Sequence, residues 1–516
     1  MGQEAPPNPK RVGRQAFVNR KQTSLHRFSV EGATISNVYQ LLGTPAWIRS
    51  ALDNVVARPG SDSAGVDGKT RADYRTEVAK EELVAEIVAE GRSKAYRPTP
   101  VRRVFIPKAS DRSKLRPLGI ATIKDRIVQE AIRMILEPVY EPRFHPHSYG
   151  FRPFRSAHHA LYRVHFLASR PGTPYEWVIE GDIHDCFGSI DHTVLLRLLR
   201  RTIDDRPLLK VMQLMLQAGA MEELRFVPSE TGTPQGSGIS PLWANIYLTE
   251  LDRFVAQKYA ALRPGAKSRA GKDGAPPPCE IVRYADDFVV MIRGTREQAD
   301  QLKAEIGAFL RQELKMELSA EKTLVTHVDA GFVFLGFQVR RVLHRFTGQR
   351  RVWITPGPKA VKHFQAKVRE TLQHLIRAPR EVALIRALSG FIRGWGQYFA
   401  IGRCAPTFRR LGRWLWRLVS RALYQKHRGR GYRSWKQHAK DYYIPYARSA
   451  RPADRHHKGY GLGVWLDSRR TRASLLADPA NIRWRRTQSF GPYDPYEPEH
   501  RRILLARRHP TLLVAR

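Results

Sequence analysis

Residues 281 to 292 read I-V-R-Y-A-D-D-F-V-V-M-I, two runs of β-branched and aromatic residues around a pair of adjacent carboxylates. Such runs make strands and the polar pair interrupts them, so the stretch predicts a hairpin with acidic groups at its tip. Asp286 and Asp287 are then presented rather than buried. Neighbouring carboxylates resist ionising together unless a cation compensates them, and a hard divalent ion such as Mg²⁺ does so. For Asp-Asp alone a solvated surface turn is the simpler reading; the flanking strands and a third carboxylate reverse it. That third group is Asp182, which falls where the short apolar strand Trp177-Val178-Ile179 should end. Two such strands side by side bring Asp182 next to Asp286. Two metal ions held about 4 Å apart by this cluster would activate a 3′-hydroxyl and stabilise the departing pyrophosphate of an in-line phosphoryl transfer. This is the geometry of a polymerase palm.

Charge narrows the partner. The 516 residues carry 88 Lys and Arg against 48 Asp and Glu, a formal +40, which solubility does not require. A polyanion whose counterions are displaced by basic side chains is the simplest cause, and binding should depend steeply on salt. No run of about 18 apolar residues could span a bilayer. The first residues, M-G-Q-E-A-P-P, lack an apolar signal core, and Pro6 sits where a myristoylation site wants Ser or Thr, so a cytoplasmic protein without membrane partners is expected. Cys186, Cys279 and Cys404 are far apart and match no disulfide framework or zinc spacing.

Further blocks fall in order along the chain: G-V-D-G at 65–68, Y-R-P-T-P-V-R-R-V-F-I-P-K at 96–108, R-P-L-G-I at 116–120, S-Y-G-F-R-P at 148–153, T-P-Q-G-S-G-I-S-P-L-W-A-N-I-Y-L at 233–248 and F-L-G-F at 334–337. With Tyr284-Ala-Asp-Asp287 and Asp182, this ordered set resembles the group II intron-encoded reverse transcriptase/maturase family over about residues 50 to 400. The resemblance implies an α+β right-hand polymerase of fingers, antiparallel-sheet palm and α-helical thumb, the last also called the maturase or X domain. It implies RNA-directed DNA synthesis from dNTPs, a structured intron RNA as template and splicing partner, a DNA primer or target, and support of retrohoming. By the same resemblance Asp182, Asp286 and Asp287 hold two Mg²⁺ ions with help from the backbone carbonyl of Ile183. Lys108 and Arg116 neutralise the nucleotide triphosphate, Phe187 packs under the sugar and excludes a 2′-hydroxyl, and Gln235 bonds near sugar or base. Lys322 and Gly336 lie by the primer and template. On residue type alone, Lys108 and Arg116 are equally a solvated basic hairpin, and Phe187 is plain core. Two departures stand out: Phe154 where the family's block has glycine, and Gly236-Ser237-Gly238 where many relatives have a Gly-Gly pair.

The expected organisation is a mobile basic arm at 1–35, an N-terminal extension with the start of the fingers at 36–93, and fingers at 94–175. A palm follows at 176–345 with an inserted loop near 262–278, then the helical thumb at 356–446 and a basic nucleic-acid-binding tail at 447–516. Helical spacing predicts a helix over 125–139 stopped by Pro138, another from His192 capped by Asp191, and a capping box at Thr295-Arg-Glu-Gln298. Asp185 and Asp191 read as structural. Trp395, Tyr398, Phe399, Trp414, Trp416, Tyr424 and Trp435, set among arginines, suit either a bundle core or stacking on unpaired bases. No cysteine follows Cys404, so a zinc-type HNH nuclease is not expected, and His456, His457, Asn481 and His500 make a poor substitute. Rival readings are a reverse transcriptase of a defence or CRISPR-associated system and a splicing-only RNA-binding maturase, which would tolerate loss of the acidic triad. A nucleotide cyclase would have little use for the charge. Oligomeric state is not legible.

Overall fold

A computed structural model describes residues 9–508, apart from 109–110, 223–224, 228–230, 234–235, 261–276, 376–380, 428–441, 459, 468, 486–488 and 492. It mixes helices with small sheets in two units: Met1–Ala160, Ile179–Val325 and Phe490–Arg516 form one, Leu161–Val178 and Thr326–Ser489 the other.

The first unit opens with α1 (Pro9–Val30), α2 (Pro45–Val56), α3 (Glu77–Ser93), the antiparallel strands β1 (Val101–Lys108) and β2 (Asp111–Ile120), and α4 (Ile123–Tyr140). Trp47, Ile48, Leu52, Ile127 and Ile132 are fully buried where α2 and α4 pack. Trp47 satisfies its indole by donating to the Ala131 carbonyl at 3.0 Å.

Two expectations are corrected here together. Residues 9–30 form a helix rather than a loose arm, and α4 runs through Pro138 instead of stopping there. Proline removes the N–H that would have bonded the carbonyl of Met134, and that carbonyl instead accepts from Gln22 Nε2 of α1 at 3.1 Å. Further carbonyls at the end of α4 are met the same way. Ser29 Oγ donates to Val139, and His26 Nδ1 lies 3.2 Å from the Pro138 oxygen. Thus α1 supplies the donors that the end of α4 lacks, which is a reason for its polar residues to be ordered.

Along the chain follow α5 (Ala157–Ala168), β3 (Trp177–Gly181), α6 (His192–Arg200), α7 (Arg206–Gln217), β4 (Ala220–Glu222), β5 (Arg225–Val227), α8 (Ser240–Ala260), β6 (Cys279–Tyr284), β7 (Asp287–Ile292), α9 (Arg296–Leu314) and β8 (Leu324–His327). One sheet orders its strands β2-β1-β4-β5, another β6-β7-β3-β8. Asp191 caps α6 and Thr295 with Gln298 forms the expected capping box of α9.

In the second unit β9 (Phe332–Phe334), β10 (Phe337–Leu343) and β11 (Arg350–Pro356) form an antiparallel sheet. Leu335 and Gly336, both at positive φ (51° and 79°), make the two-residue turn between β9 and β10. Helices α10 (Pro358–Leu375), α11 (Glu381–Phe399) and α12 (Ala405–His427) bury Phe364, Leu388, Leu415 and Val419, with Trp395, Trp414 and Trp416 packed against them. Those rings are core. Trp435 lies outside the described residues.

The tail is not one appendage, contrary to expectation. Strands β12 (Tyr443–Pro445), β13 (Tyr460–Trp465) and β14 (Ala473–Leu475) belong to the second unit, and Leu462 and Val464 enter its helical core. Residues from Phe490 belong to the first unit and end in α13 (Pro498–Arg508). No described helix is long and apolar enough to cross a membrane.

His26 Nε2 meets Asp494 Oδ2 at 2.7 Å, pinning the C-terminal segment to α1. Burial pushes the imidazole pKa down, but the Asp494 carboxylate and the Pro138 carbonyl raise it overall. A folded pKa above the unfolded value means this contribution is complete below about 6.5 and is lost as pH rises through the folded value. Asp494→Asn should therefore lower the unfolding midpoint more at about pH 6 than at about pH 8.5, read by thermal denaturation at both. Equal losses at the two pH values would show that the histidine is not charged in the fold.

Candidate active site

Within β6, Arg283 is fully buried together with its partner Asp252 on α8. The guanidinium reaches Asp252 with Nε at 2.8 Å and Nη2 at 2.7 Å. Its remaining nitrogen, Nη1, donates to Asn245 Oδ1 and to the carbonyl of Ala285, both at 2.9 Å. Asn245 in turn donates to the carbonyl of Gly150 at 2.8 Å. Gly150 has no room for a side chain: a Cβ there would stand 2.3 Å from the backbone nitrogen of Ala285. Neighbouring backbone closes the frame, with Arg283 N–H on the His147 carbonyl and Tyr149 N–H on the Arg283 carbonyl. Ala285 itself sits at φ 60°, a conformation that costs an L-residue roughly 1–2 kcal/mol. The buried guanidinium fixes this turn from below.

Above that frame the hairpin closes with Tyr284 opposite Asp287, leaving Ala285 and Asp286 as the turn. Asp286 and Asp287 are exposed, as the sequence implied. β3 lies against β7, and the approach is close enough that a Cβ on Gly181 would fall 2.1 Å from the Phe288 ring. Asp182, the next residue, is thereby brought beside the hairpin. Its N–H and carbonyl face the 319–323 loop, where Ser319 N–H donates to its carbonyl at 2.8 Å, and Lys322 Nζ donates to Oδ2 at 3.0 Å. Although Asp287 keeps solvent access, the protein packed around its carboxyl pushes it up to about 6, first by desolvation and then by the charges of Asp286 and Asp182, with Lys322 opposing. Three carboxylates therefore act on one another across two strands. Among the described residues no group of three or more His, Cys, Asp or Glu side chains is arranged to hold a metal ion.

The other expected site residues divide. Ile183 is buried and bridges Leu318 in antiparallel register. Phe187 is half-buried, and its carbonyl accepts from Thr233 N–H at 2.8 Å, which ties the start of the T-P-Q-G loop to the segment after Asp182. Gln235 lies outside the described residues. Gly236, at φ 102°, packs so closely on β2 that a Cβ would meet Leu118 Cδ1 at 2.7 Å. Arg116 is exposed on β2 opposite Ile106, while Lys108 ends β1 and its side chain lies outside the described residues. Gly336 belongs to the second unit. Asp185 is structural, folded onto Gly188, where a Cβ would stand 2.1 Å from its Oδ2. Phe154 adopts φ 59°, so it occupies a conformation that suits glycine. The three cysteines are buried and free. Arg283, Asp252 and Asn245 were not legible in the sequence; the one signal was an arginine set between Ile281-Val282 and Tyr284 in the strand.

Residues 106–339 match the family model described as reverse transcriptase (RNA-dependent DNA polymerase), and residues 361–443 match the group II intron, maturase-specific domain. Fold, hairpin and matches together define a polymerase of the reverse-transcriptase class. The chain is 34% identical to protein YkfC of Escherichia coli over 350 residues, covering 65% of this chain and 90% of that protein. It is also 34% identical over 349 residues to the group II intron-encoded protein LtrA of Lactococcus lactis, covering 59% of this chain and 57% of LtrA. A nuclear intron maturase of Arabidopsis thaliana mitochondria is 25% identical over 304 residues, 44% of this chain and 42% of that one. The chain belongs to the group II intron-encoded reverse transcriptase/maturase family.

Breaking the buried pair by Asp252→Ala leaves an uncompensated guanidinium and should cost about 3–5 kcal/mol of stability, measured by denaturant unfolding; a loss under about 1 kcal/mol would mean that water reaches Arg283. For Asp287 the sign is opposite to the usual carboxylate. Its raised folded pKa destabilises the metal-free fold above the unfolded value near 3.9, fully so above about 6. Asp287→Asn should accordingly raise the melting temperature of metal-free protein at about pH 7.5 and change it little at about pH 4. An unchanged melting temperature at the higher pH would remove the crowding of charge inferred here.

Proposed function

We propose that the chain copies an RNA template into DNA from deoxynucleotides at Asp182, Asp286 and Asp287, and holds a structured intron RNA as a splicing maturase, in support of retrohoming. The observation that carries this is the placement of three carboxylates on adjoining strands, Asp182 at the end of β3 and Asp286 and Asp287 at the tip of the β6–β7 hairpin. Their hard oxygens suit Mg²⁺, which completes its shell with water and substrate phosphate rather than with an all-protein cage, so the small protein donor set fits. Two such ions, when bound, would activate the primer hydroxyl and offset charge on the leaving pyrophosphate.

The remaining roles fall to the chain's own groups. Asp182, Asp286 and Asp287, with the Ile183 carbonyl, would hold the ions. Lys322 keeps a positive charge against Asp182 and steadies that carboxylate beside the primer end. Lys108 and Arg116 offset the triphosphate charge, Gln235 bonds the incoming nucleotide near sugar or base, and the Phe187 ring excludes a 2′-hydroxyl. Gly336, in its tight turn, lets the primer backbone approach. Helices α10 to α12 act as the thumb that grips RNA, and a cytoplasmic setting belongs to the same proposal. The surplus of positive charge supports a nucleic-acid partner.

Asp286→Ala should abolish extension of a DNA primer on an RNA template in Mg²⁺ while RNA affinity stays within about twofold; retained synthesis would defeat the assignment. Separately, Phe187→Ala should admit ribonucleotides, seen as alkali-labile products from mixed nucleotide pools. Unaltered discrimination in that assay removes the steric gate.

A further inference from the structure

His456, His457 and Asn481, unconvincing as a nuclease pattern, come together in the second unit with groups that DNA synthesis does not use. They line a pocket of about 520 Å³ together with Arg393, Arg451, Arg483, Arg485, Asp454 and Asp478. Four guanidinium groups face two carboxylates there, a positive surplus before either histidine takes a proton. Asp454 is shared: Arg393 reaches its Oδ2 at 3.4 Å and Arg451 its Oδ1 at 3.3 Å. Burial, and then the charge of Arg451, hold the Arg393 pKa below its ordinary value. Arg483 and Arg485 make no side-chain ion pair among the described residues. Like charges gathered in a concavity are relieved by an anion, and guanidinium forks match phosphate oxygens.

The pocket is more than a phosphate cradle. Its floor carries Tyr446, which is buried, accepts from Asn481 Nδ2 at 2.8 Å, and has the His457 ring edge-on at 5.4 Å. Asp478 is held in place: its Oδ1 accepts from Ala480 N–H at 2.8 Å and backs onto Gly412 of α12, where a Cβ would stand 2.4 Å away. A fixed carboxylate disfavours bare phosphate but accepts well from a hydroxyl beside one, which is the arrangement a ribose offers and a deoxyribose does not. The volume exceeds what a lone phosphate fills and suits one nucleotide.

The geometry points to a subsite for one unpaired ribonucleotide of an RNA strand, its phosphates on Arg393, Arg451, Arg483 and Arg485 and its 2′-hydroxyl on Asp478. This rests on the RNA-binding half of the function proposed above and adds where and how a strand is read. Most of the pocket, from Tyr446 to Arg485, lies beyond the maturase-specific match at 361–443.

The test uses the full chain and a short unstructured RNA oligonucleotide, with DNA of the same sequence, followed by fluorescence anisotropy over a range of salt. The double variant Arg483→Gln/Arg485→Gln, which breaks no ion pair among the described residues, should weaken RNA binding about tenfold and reduce the slope of log K against log salt by about 1–2. Asp478→Asn keeps a helix-capping oxygen but loses the charge, and should cut the preference for RNA over DNA about threefold or more. Unchanged RNA affinity and slope in the double variant would overturn the subsite. An unchanged RNA-to-DNA ratio in Asp478→Asn would overturn the ribose contact and leave a general basic surface. Primer extension by the wild-type chain, run alongside, decides the polymerase reading on its own: extension with unaltered variant binding sinks only the subsite, and lost binding without extension sinks only the polymerase.

Discussion

The ion pair of Arg283 and Asp252 is sealed from solvent on both sides, and the geometry of the acidic hairpin hangs on it. Taking two charges out of water is expensive and is recovered only when every donor and acceptor finds a partner. Here the guanidinium spreads its donors over Asp252, Asn245 and the Ala285 carbonyl, so the penalty is offset by bonds that also dictate where the turn lies. The same network reaches Gly150 through Asn245, which joins the S-Y-G-F-R-P block to the hairpin. Two stretches far apart in the chain thus become one frame. A hydrophobic substitute could fill the volume, but it would not hold a left-handed alanine at the base of two exposed aspartates.

Electrostatics at the tip runs the other way. Where the frame is fully compensated, the carboxylates above it are not: Asp287 is crowded by Asp286 and Asp182, and Lys322 is an exposed counter-charge. A carboxyl pushed up to about 6 is ready to exchange its proton for a cation near neutral pH, so cation uptake and proton release are linked. The fold thus stores unfavourable charge at the place where a polyphosphate substrate and its counter-ions arrive.

Much of this was legible in sequence because the signals were local. The hairpin followed from apolar runs around an acidic pair, and the caps at Asp191 and Thr295 from polar side chains just ahead of helical periodicity. Where the reading failed, long-range partners decided. Residues 9–30 looked unstructured because the N-terminal stretch is Pro-rich and basic without periodicity, yet Gln22, His26 and Ser29 are ordered by the carbonyls that α4 leaves open around Pro138. Nothing in the basic C-terminal composition told that β13 enters a helical core while Asp494 pairs with His26. Arg283 stood in plain view in the hairpin sequence. Its partners, Asp252 and Asn245, lie on a helix some thirty to forty positions earlier, and no spacing rule connects them.

The convergence of Asp182 with the hairpin aspartates is the claim on which the enzymatic reading rests. It is most directly measured by following the carboxyl carbon of Asp287 through a pH titration by NMR, in the wild-type chain and in Asp182→Asn, both without metal. The account predicts that the apparent pKa falls below about 6 when the Asp182 charge is removed, while desolvation and Asp286 still hold it above the ordinary aspartate range. A titration curve that does not move between the two proteins would mean that Asp182 and Asp287 do not share a site.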